Sequence, residues 1–353
     1  MLLLSLLTAC GLLAPAPLAT LPYALGADTP PLALVVVNRL VVLSPTDARV
    51  ARLDLGALTW DEAPLPVGLP LDLRLNVVGD RLTLWGARLD TLDVWATDDD
   101  GLSWRELATE AAAEGRASVM LPLSDGRLLW VVERLDVEEA NLTTTTLAAQ
   151  ARLAASPGAP WSDIPGVARL GTISAALPLP GGQALLLGGE HGRPEEGIIS
   201  WATRFDGVQL VPGPALPERQ AWARSGVLVG GEVVLLEPMF ADPGDAIGLL
   251  VRVDSAVMLD APGEPLEGRF AATPLADGRL LLTGGVLDGA PTAETWLLDP
   301  KTAAWTPGPP LPRPRAGHVA AQAPDGRVLL VGGVGVDWLG REAPLAEVDV
   351  LAL

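Results

Sequence analysis

A tight polar turn followed by an apolar run recurs seven times along the chain. The turns end at Arg39, Arg81, Arg127, Gln183, Glu232, Arg279 and Arg327, at intervals of 42, 46, 56, 49, 47 and 48 residues. The sixth period shows the pattern best. Phe270 to Leu275 reads as a first strand, Ala276-Asp277-Gly278-Arg279 as a turn, and Leu280 to Thr283 as a second strand closed by Gly284-Gly285. A third strand follows at Thr295-Trp296-Leu297-Leu298, then a turn at Asp299 to Thr302, and a fourth strand opens at Ala304-Trp305-Thr306. Asp-Gly between apolar runs is the signal of a two-residue hairpin turn, whose central residues need positive φ.

Four antiparallel strands per period, with a period in the forties, are the mark of an all-β β-propeller. The expectation is one domain over residues 32–353 with seven blades of four strands; six blades and a degenerate extra segment is the alternative. The first unit keeps Asp54 and Trp60 at the six-residue spacing of Asp299 and Trp305, which places it in the same register. The last unit, Gly317 to Leu353, holds three strands, and an unpaired edge is costly. The missing outer strand is expected from the N-terminal segment, within Leu18 to Ala27.

These periods resemble the kelch repeat. Gly188-Gly189, Gly284-Gly285 and Gly332-Gly333 match its strand-closing doublet, Trp296 and Trp305 match its aromatic pair, and Leu311-Pro-Arg-Pro-Arg315-Ala-Gly-His318 is similar to its lead-in. The resemblance is uneven, since the second strands ending at Glu133 and Glu237 lack the doublet. It implies that the outer-strand Trp packs between blades and that the glycines permit close backbone approach. Separately, Thr97-Asp98-Asp99-Asp100-Gly101-Leu102-Ser103-Trp104 resembles the Asp-box of sialidase-type propellers. That likeness implies a structural hairpin in which Asp99 accepts backbone hydrogen bonds.

Residues 1–9, MLLLSLLTA, are apolar but far short of the about 20 residues that span a bilayer as a helix. They read as a signal-peptide core. Leu7-Thr8-Ala9-Cys10 resembles the lipobox of bacterial lipoproteins, although no basic n-region precedes it. The implied product is lipidated on Cys10 and exported to the cell envelope, with residues 10–31, rich in Pro and Ala, as a tether. The membrane is then engaged through the lipid anchor only.

Charge narrows the partners. The formal net charge of −19 opposes nucleic acid, whose phosphates need a cationic surface, and it opposes binding to anionic lipid through basic patches. One cysteine allows no intramolecular disulfide, and two histidines 127 residues apart allow no histidine-rich metal site. No metal or other cofactor is expected, and the chain is expected to be a monomer.

Candidate chemistry lies in the loops. Arg116, Arg169, Arg219, Arg269 and Arg315 each precede a turn by 10 to 14 residues, near the start of the innermost strand of a period. Guanidinium groups around one mouth would suit a carboxylate, a sulfate or an acidic peptide. The competing reading is that they tie blade edges to neighbouring carbonyls and acids. The loop Glu190 to Glu196 brings His191 beside acids and Arg193, and Trp338 with nearby acids suits stacking on a sugar ring. Galactose oxidase, a kelch propeller, uses copper with tyrosines, histidines and a thioether-forming cysteine; here the tyrosine is Tyr23 and the cysteine is Cys10, which excludes that chemistry. A sialidase mechanism would need a tyrosine nucleophile, and Tyr23 lies in the tether. The favoured function is a binding or interaction scaffold for a protein, or for an anionic carbohydrate or peptide. A carbohydrate-active enzyme on an acidic sugar, similar to the kelch-type sialic acid epimerases, is the alternative, with Glu195 or Glu196 as acid or base. A purely structural propeller is the third.

Overall fold

The computed structural model describes residues 17–22, 32–44, 47–67, 72–78, 81–87, 91–111, 116–138, 143–156, 158–165, 173–191, 198–216, 223–238, 248–252, 255–260, 262, 268–336 and 341–353. Strands dominate; among the described residues a single 3₁₀ turn, Pro180–Gly182, interrupts them. Among the described residues no helix is long and apolar enough to cross a membrane. The chain divides into two compact units, one of residues 1–65 with 262–353 and one of residues 66–261.

The first unit holds three four-stranded antiparallel sheets. The first sheet is Leu32–Val36, Arg39–Ser44, Arg49–Asp54 and Trp60–Pro64, a meander in chain order. The sixth sheet is Ala271–Pro274, Leu280–Thr283, Thr295–Asp299 and Ala304–Pro307. The seventh is Val319–Gln322, Val328–Val331 and Glu347–Leu351, completed on its outer edge by Ala19–Thr20. Ala19 pairs with Val348 and Thr20 with Glu347, so the last sheet takes its fourth strand from inside the stretch also read as tether.

The second unit holds four sheets of the same kind. The second sheet is Asp72–Val78, Arg81–Ala87, Thr91–Thr97 and Arg105–Ala111; the third is Arg116–Pro122, Leu128–Glu138, Thr143–Ala154 and Ser162–Asp163. The fourth is Ile173–Leu179, Gln183–His191, Ile198–Phe205 and Leu210–Pro212; the fifth is Ala223–Val229, Glu232–Pro238, Gly248–Val251 and Ala256–Leu259. Every one of the seven recurrent turn-end positions begins, or immediately precedes, the second strand of a sheet.

Second strands such as Leu280–Thr283 and Val328–Val331 are buried at every position, and apolar except at Thr283, because both of their faces are covered. Successive side chains point to opposite faces. Leu329 and Val331 pack with Leu40, Val42 and Leu53 of the first sheet, while Val328 and Leu330 pack with Leu281 and Leu297 of the sixth. The fourth sheet is covered in the same way. Leu186 and Phe205 join Leu129 and Val131 of the third sheet, and Leu185 and Leu187 join Val233 and Leu249 of the fifth.

The Asp-Gly turns differ from the two-residue hairpins expected. In Asp125-Gly126-Arg127, Asp277-Gly278-Arg279 and Asp325-Gly326-Arg327, only the glycine has positive φ, at 87°, 86° and 89°. Its N–H donates to the carbonyl three residues back (Leu123, Leu275, Ala323), and the N–H of that residue donates to the arginine carbonyl at 2.8 Å. This is a type I turn closed by a left-handed glycine, the three-residue hairpin loop. The arginine Nε then donates back to the aspartate Oδ2 at 2.7, 2.8 and 2.6 Å. That bond, with the Asp277 and Asp325 carboxylates also accepting the arginine N–H, holds both carboxyls below the usual range.

Thr97 to Trp104 forms the hairpin between the third and fourth strands of the second sheet. Asp99 accepts from Ser103 N at 2.9 Å, Ser103 Oγ at 2.6 Å and Thr97 Oγ1 at 2.6 Å, while Asp100 and Gly101 take positive φ. These hydrogen bonds join residues of the turn itself.

Candidate functional site

In the first unit the glycine doublets set the geometry. Gly284 and Gly285 have φ of 58° and 109°, and Gly332 and Gly333 have 64° and 86°. A Cβ on Gly284 would lie 2.3 Å from the Arg315 carbonyl oxygen, and one on Gly333 would lie 2.6 Å from that of Ala316. Neither position admits a side chain. Each doublet ends its strand and turns the chain into a small hairpin, Val286–Leu287 with Ala290–Pro291, and Val334–Val336 with Glu342–Pro344. The Arg315-Ala316 segment bridges the two, pairing with Thr292 on one side and Val334 on the other. Gly188-Gly189 behaves otherwise: the second strand of the fourth sheet runs through both to His191, paired with Ser200 and Trp201. The third doublet therefore does not close its strand, because the partner strand starts early, at Ile198, and continues the ladder.

The segment so held carries two arginines and a histidine. Arg315 is fully buried; its Nη2 pairs with Asp349 Oδ2, and its Nη1 donates to the Gly332 carbonyl at 3.3 Å. Burial draws its pKa down, but the Asp349 charge opposes the shift and a guanidinium stays cationic. Arg313 lies across the same acids, its Nη1 3.2 Å from Glu347 and its Nε 2.9 Å from Asp349, the latter an ion pair without good hydrogen-bond alignment. Two cations thus face two carboxylates. His318 is buried, with Nε2 2.8 Å from Thr283 Oγ1. The tautomer with Nε2–H donating to Thr283, and Thr283 donating to the Ala271 carbonyl at 3.5 Å, leaves Nδ1 as a bare lone pair. Desolvation first, then the nearby Arg315 charge, lowers its pKa to about 3. The imidazole is neutral and enclosed.

Arg269 is the exposed member of the group. It has φ of 59°, its carbonyl accepts from Gly317 N at 2.7 Å, and a Cβ on Gly317 would lie 3.5 Å from its Nη2. Its Nη1 is 3.6 Å from Glu342, with both side chains nearly half exposed. Of the five loop arginines, Arg269 and Arg315 are therefore brought to one place, but Arg315 sits beneath the surface as a tie to Asp349. Arg116 opens the first strand of the third sheet opposite Glu133. His191 ends its strand opposite Ile198. Arg169, Arg219, Trp338, Cys10 and Tyr23 lie outside the described residues. Among the described residues no group of three or more His, Cys, Asp or Glu side chains is placed to hold a metal.

A second locus escaped sequence reasoning. In the second unit, a cleft of about 590 Å³ opens between the fourth and fifth sheets at the edge that carries their strand one-to-two turns. Leu185 and Val233 supply apolar surface, while Arg204, Glu232, Arg252 and Gln183 supply polar groups. Arg252 Nε donates to Glu232 at 3.0 Å. No short-range sequence signal marks this cleft, since its two sides lie about 50 residues apart and meet only through sheet packing.

No family model matches the chain, and no curated protein matches its sequence. Solved structures do resemble it. A fungal alcohol oxidase of the AA5 family, solved in complex with copper, superposes with a TM-score of 0.61 at 12% identity, over 94% of this chain and 76% of that one. The structure of YjhT superposes with a TM-score of 0.49 at 12% identity, over 95% of this chain and all of that one. At that identity the oxidase speaks for fold alone, and its copper is its own. One tyrosine, one cysteine and two histidines, one of them sealed against Thr283, do not fit the copper centre described above. The chain has an all-β fold of the β-propeller type.

Proposed function

We propose that this protein is a kelch-like propeller anchored to the cell envelope through a lipid on Cys10, and that it is a binding scaffold for an anionic carbohydrate or acidic peptide. The observation that carries the ligand class is the nearly half-exposed Arg269 guanidinium, which lies over Gly317 beside a loop hairpin and forms a solvent-exposed ion pair, at 3.6 Å, with Glu342. An incoming carboxylate or sulfate competes for such a cation at little cost, because an exposed ion pair is worth about 0–1 kcal/mol. Arg116, Arg169, Arg219, His191 and Trp338 are the further residues proposed to take part in binding. The kelch likeness is supported by the two doublets that end strands where a Cβ would strike backbone. The Asp-box likeness is supported by the Asp99 hydrogen bonds.

Two measurements test this reading. Metabolic labelling with an alkyne fatty acid in a bacterial host should tag the full chain, and Cys10→Ala should abolish the tag and release the protein from membranes. An array of acidic glycans and peptides should give saturable binding that Arg269→Glu weakens at least about 10-fold. Turnover of an acidic sugar by the pure protein would overturn the scaffold reading.

A further inference from the structure

The cleft between the fourth and fifth sheets has the composition of a small-molecule site. Leu185 and Arg204 are cross-strand partners, so both side chains stand on the face turned toward the fifth sheet. Leu185 belongs to the apolar cluster with Val233 and Val251, which forms the floor. Arg204 is partly buried and makes no hydrogen bond or ion pair among the described residues; Asp206, which feels its charge, is engaged with the N–H groups of Val208 and Gln209 at 2.9 Å each. Arg252 is engaged by Glu232, its neighbour on the adjacent strand of the fifth sheet. The lining therefore carries two guanidinium groups against one carboxylate, a local excess of one positive charge on a chain of net charge −19. A guanidinium left with donors to fill, beside an apolar floor, recognises one anionic group attached to an apolar body. The volume lies within the range of pockets that enclose small organic molecules.

The geometry points to a binding site for a small amphipathic monoanion, an organic carboxylate or sulfonate with a ring or short chain. Its anionic group lies on Arg204 and its apolar body lies against Leu185, Val233 and Val251. This site is independent of the loop surface around Arg269, and it lies wholly within the second unit.

The test uses the full chain carrying Cys10→Ala, in detergent-free buffer, titrated by calorimetry with 2-naphthoate and with 2-naphthamide, its neutral counterpart. One saturable site is expected for naphthoate, with the amide at least about 10-fold weaker. Arg204→Ala should weaken naphthoate by about 10- to 100-fold without weakening the amide. Glu232→Gln should tighten naphthoate several-fold, since it removes the one lining carboxylate. That gain guards against misreading a folding defect, because a damaged variant does not bind better. Absence of saturable naphthoate binding overturns the proposal, as does equal binding of acid and amide, or an Arg204→Ala affinity unchanged from the parent.

Discussion

Arg315 and Arg204 are the same residue in opposite settings. Arg315 is sealed in the first unit with its charge met by Asp349; Arg204, in the second, lines a cleft and makes no hydrogen bond or ion pair among the described residues. The difference teaches where an arginine in a β fold is architecture and where it is chemistry. Spacing from a turn does not decide it. What decides it is whether an acid on a packed strand reaches the guanidinium. Asp349 does so because Glu347–Leu351 places it in register with Leu330, inside the sheet and not on its rim.

The largest expected effect breaks the architectural side of this comparison. Asp349→Ala strands a fully buried guanidinium and loosens a second one, and removing one partner of a buried pair costs about 3–5 kcal/mol. Denaturant unfolding should show that loss; a change below about 1 kcal/mol would mean that Arg315 finds water or another acceptor. Gly333→Ala comes next, at about 2–4 kcal/mol, since its Cβ would meet Ala316 O at 2.6 Å and φ is 86°. Gly231→Ala is the control. Its φ of 88° is similar, but nothing lies within 4 Å of the added Cβ, so only the backbone penalty of about 1–2 kcal/mol is expected.

His318 sharpens the comparison through pH. In the unfolded chain its imidazole takes a proton near 6.5, while in the folded protein it resists protonation down to about 3. Above pH 6.5 it contributes no pH dependence. Below that, the unfolded state binds a proton that the folded state refuses, and stability falls by up to about 1.4 kcal/mol per pH unit. The depressed carboxyls of Asp54, Asp206, Asp277 and Asp325 also favour the folded state, but their contribution is lost only as pH falls through and below the ordinary value of 3.8. Among the described residues, the slope expected between pH 6.5 and 5 is that of His318. His318→Gln, which keeps a donor toward Thr283, should flatten urea midpoints across that window. A slope that survives the substitution would place the acid sensitivity elsewhere.

Much of the scaffold was legible because it is local and repeated. The turn register at Arg39 through Arg327 located all seven second strands, and the three-strand remainder at the C-terminus correctly called for a strand from the N-terminal segment. The turn type was misjudged because Asp-Gly suits both two-residue and three-residue loops, and only the hydrogen bond from Leu123, Leu275 or Ala323 back to the arginine carbonyl separates them. Gly188-Gly189 misled for a related reason, since a doublet closes a strand only if the partner strand stops there. The Asp349 pair left one readable trace, an acid inside the apolar run Val348-Asp349-Val350-Leu351, which needs a buried cation nearby. Arg204 left none. Its strand, Ile198–Phe205, mixes apolar and polar residues without marking Arg204, and its cleft lies where the fourth and fifth sheets meet.

The smallest expected effect tests the other half of the comparison. Because Arg204 makes no hydrogen bond or ion pair among the described residues and is not fully buried, Arg204→Ala should change stability by no more than about 0.5 kcal/mol. Part of the methylene stem leaves the apolar surface beside Leu185, a small loss for a side chain that is only partly buried. Thermal unfolding of the variant beside Asp349→Ala would set the two arginines on one scale. A gap of several kcal/mol between them is expected if one is a structural tie and the other is held in reserve for a ligand. If Arg204→Ala proves as damaging as Asp349→Ala, the cleft arginine is a packing element too, and the two regions differ in exposure but not in role.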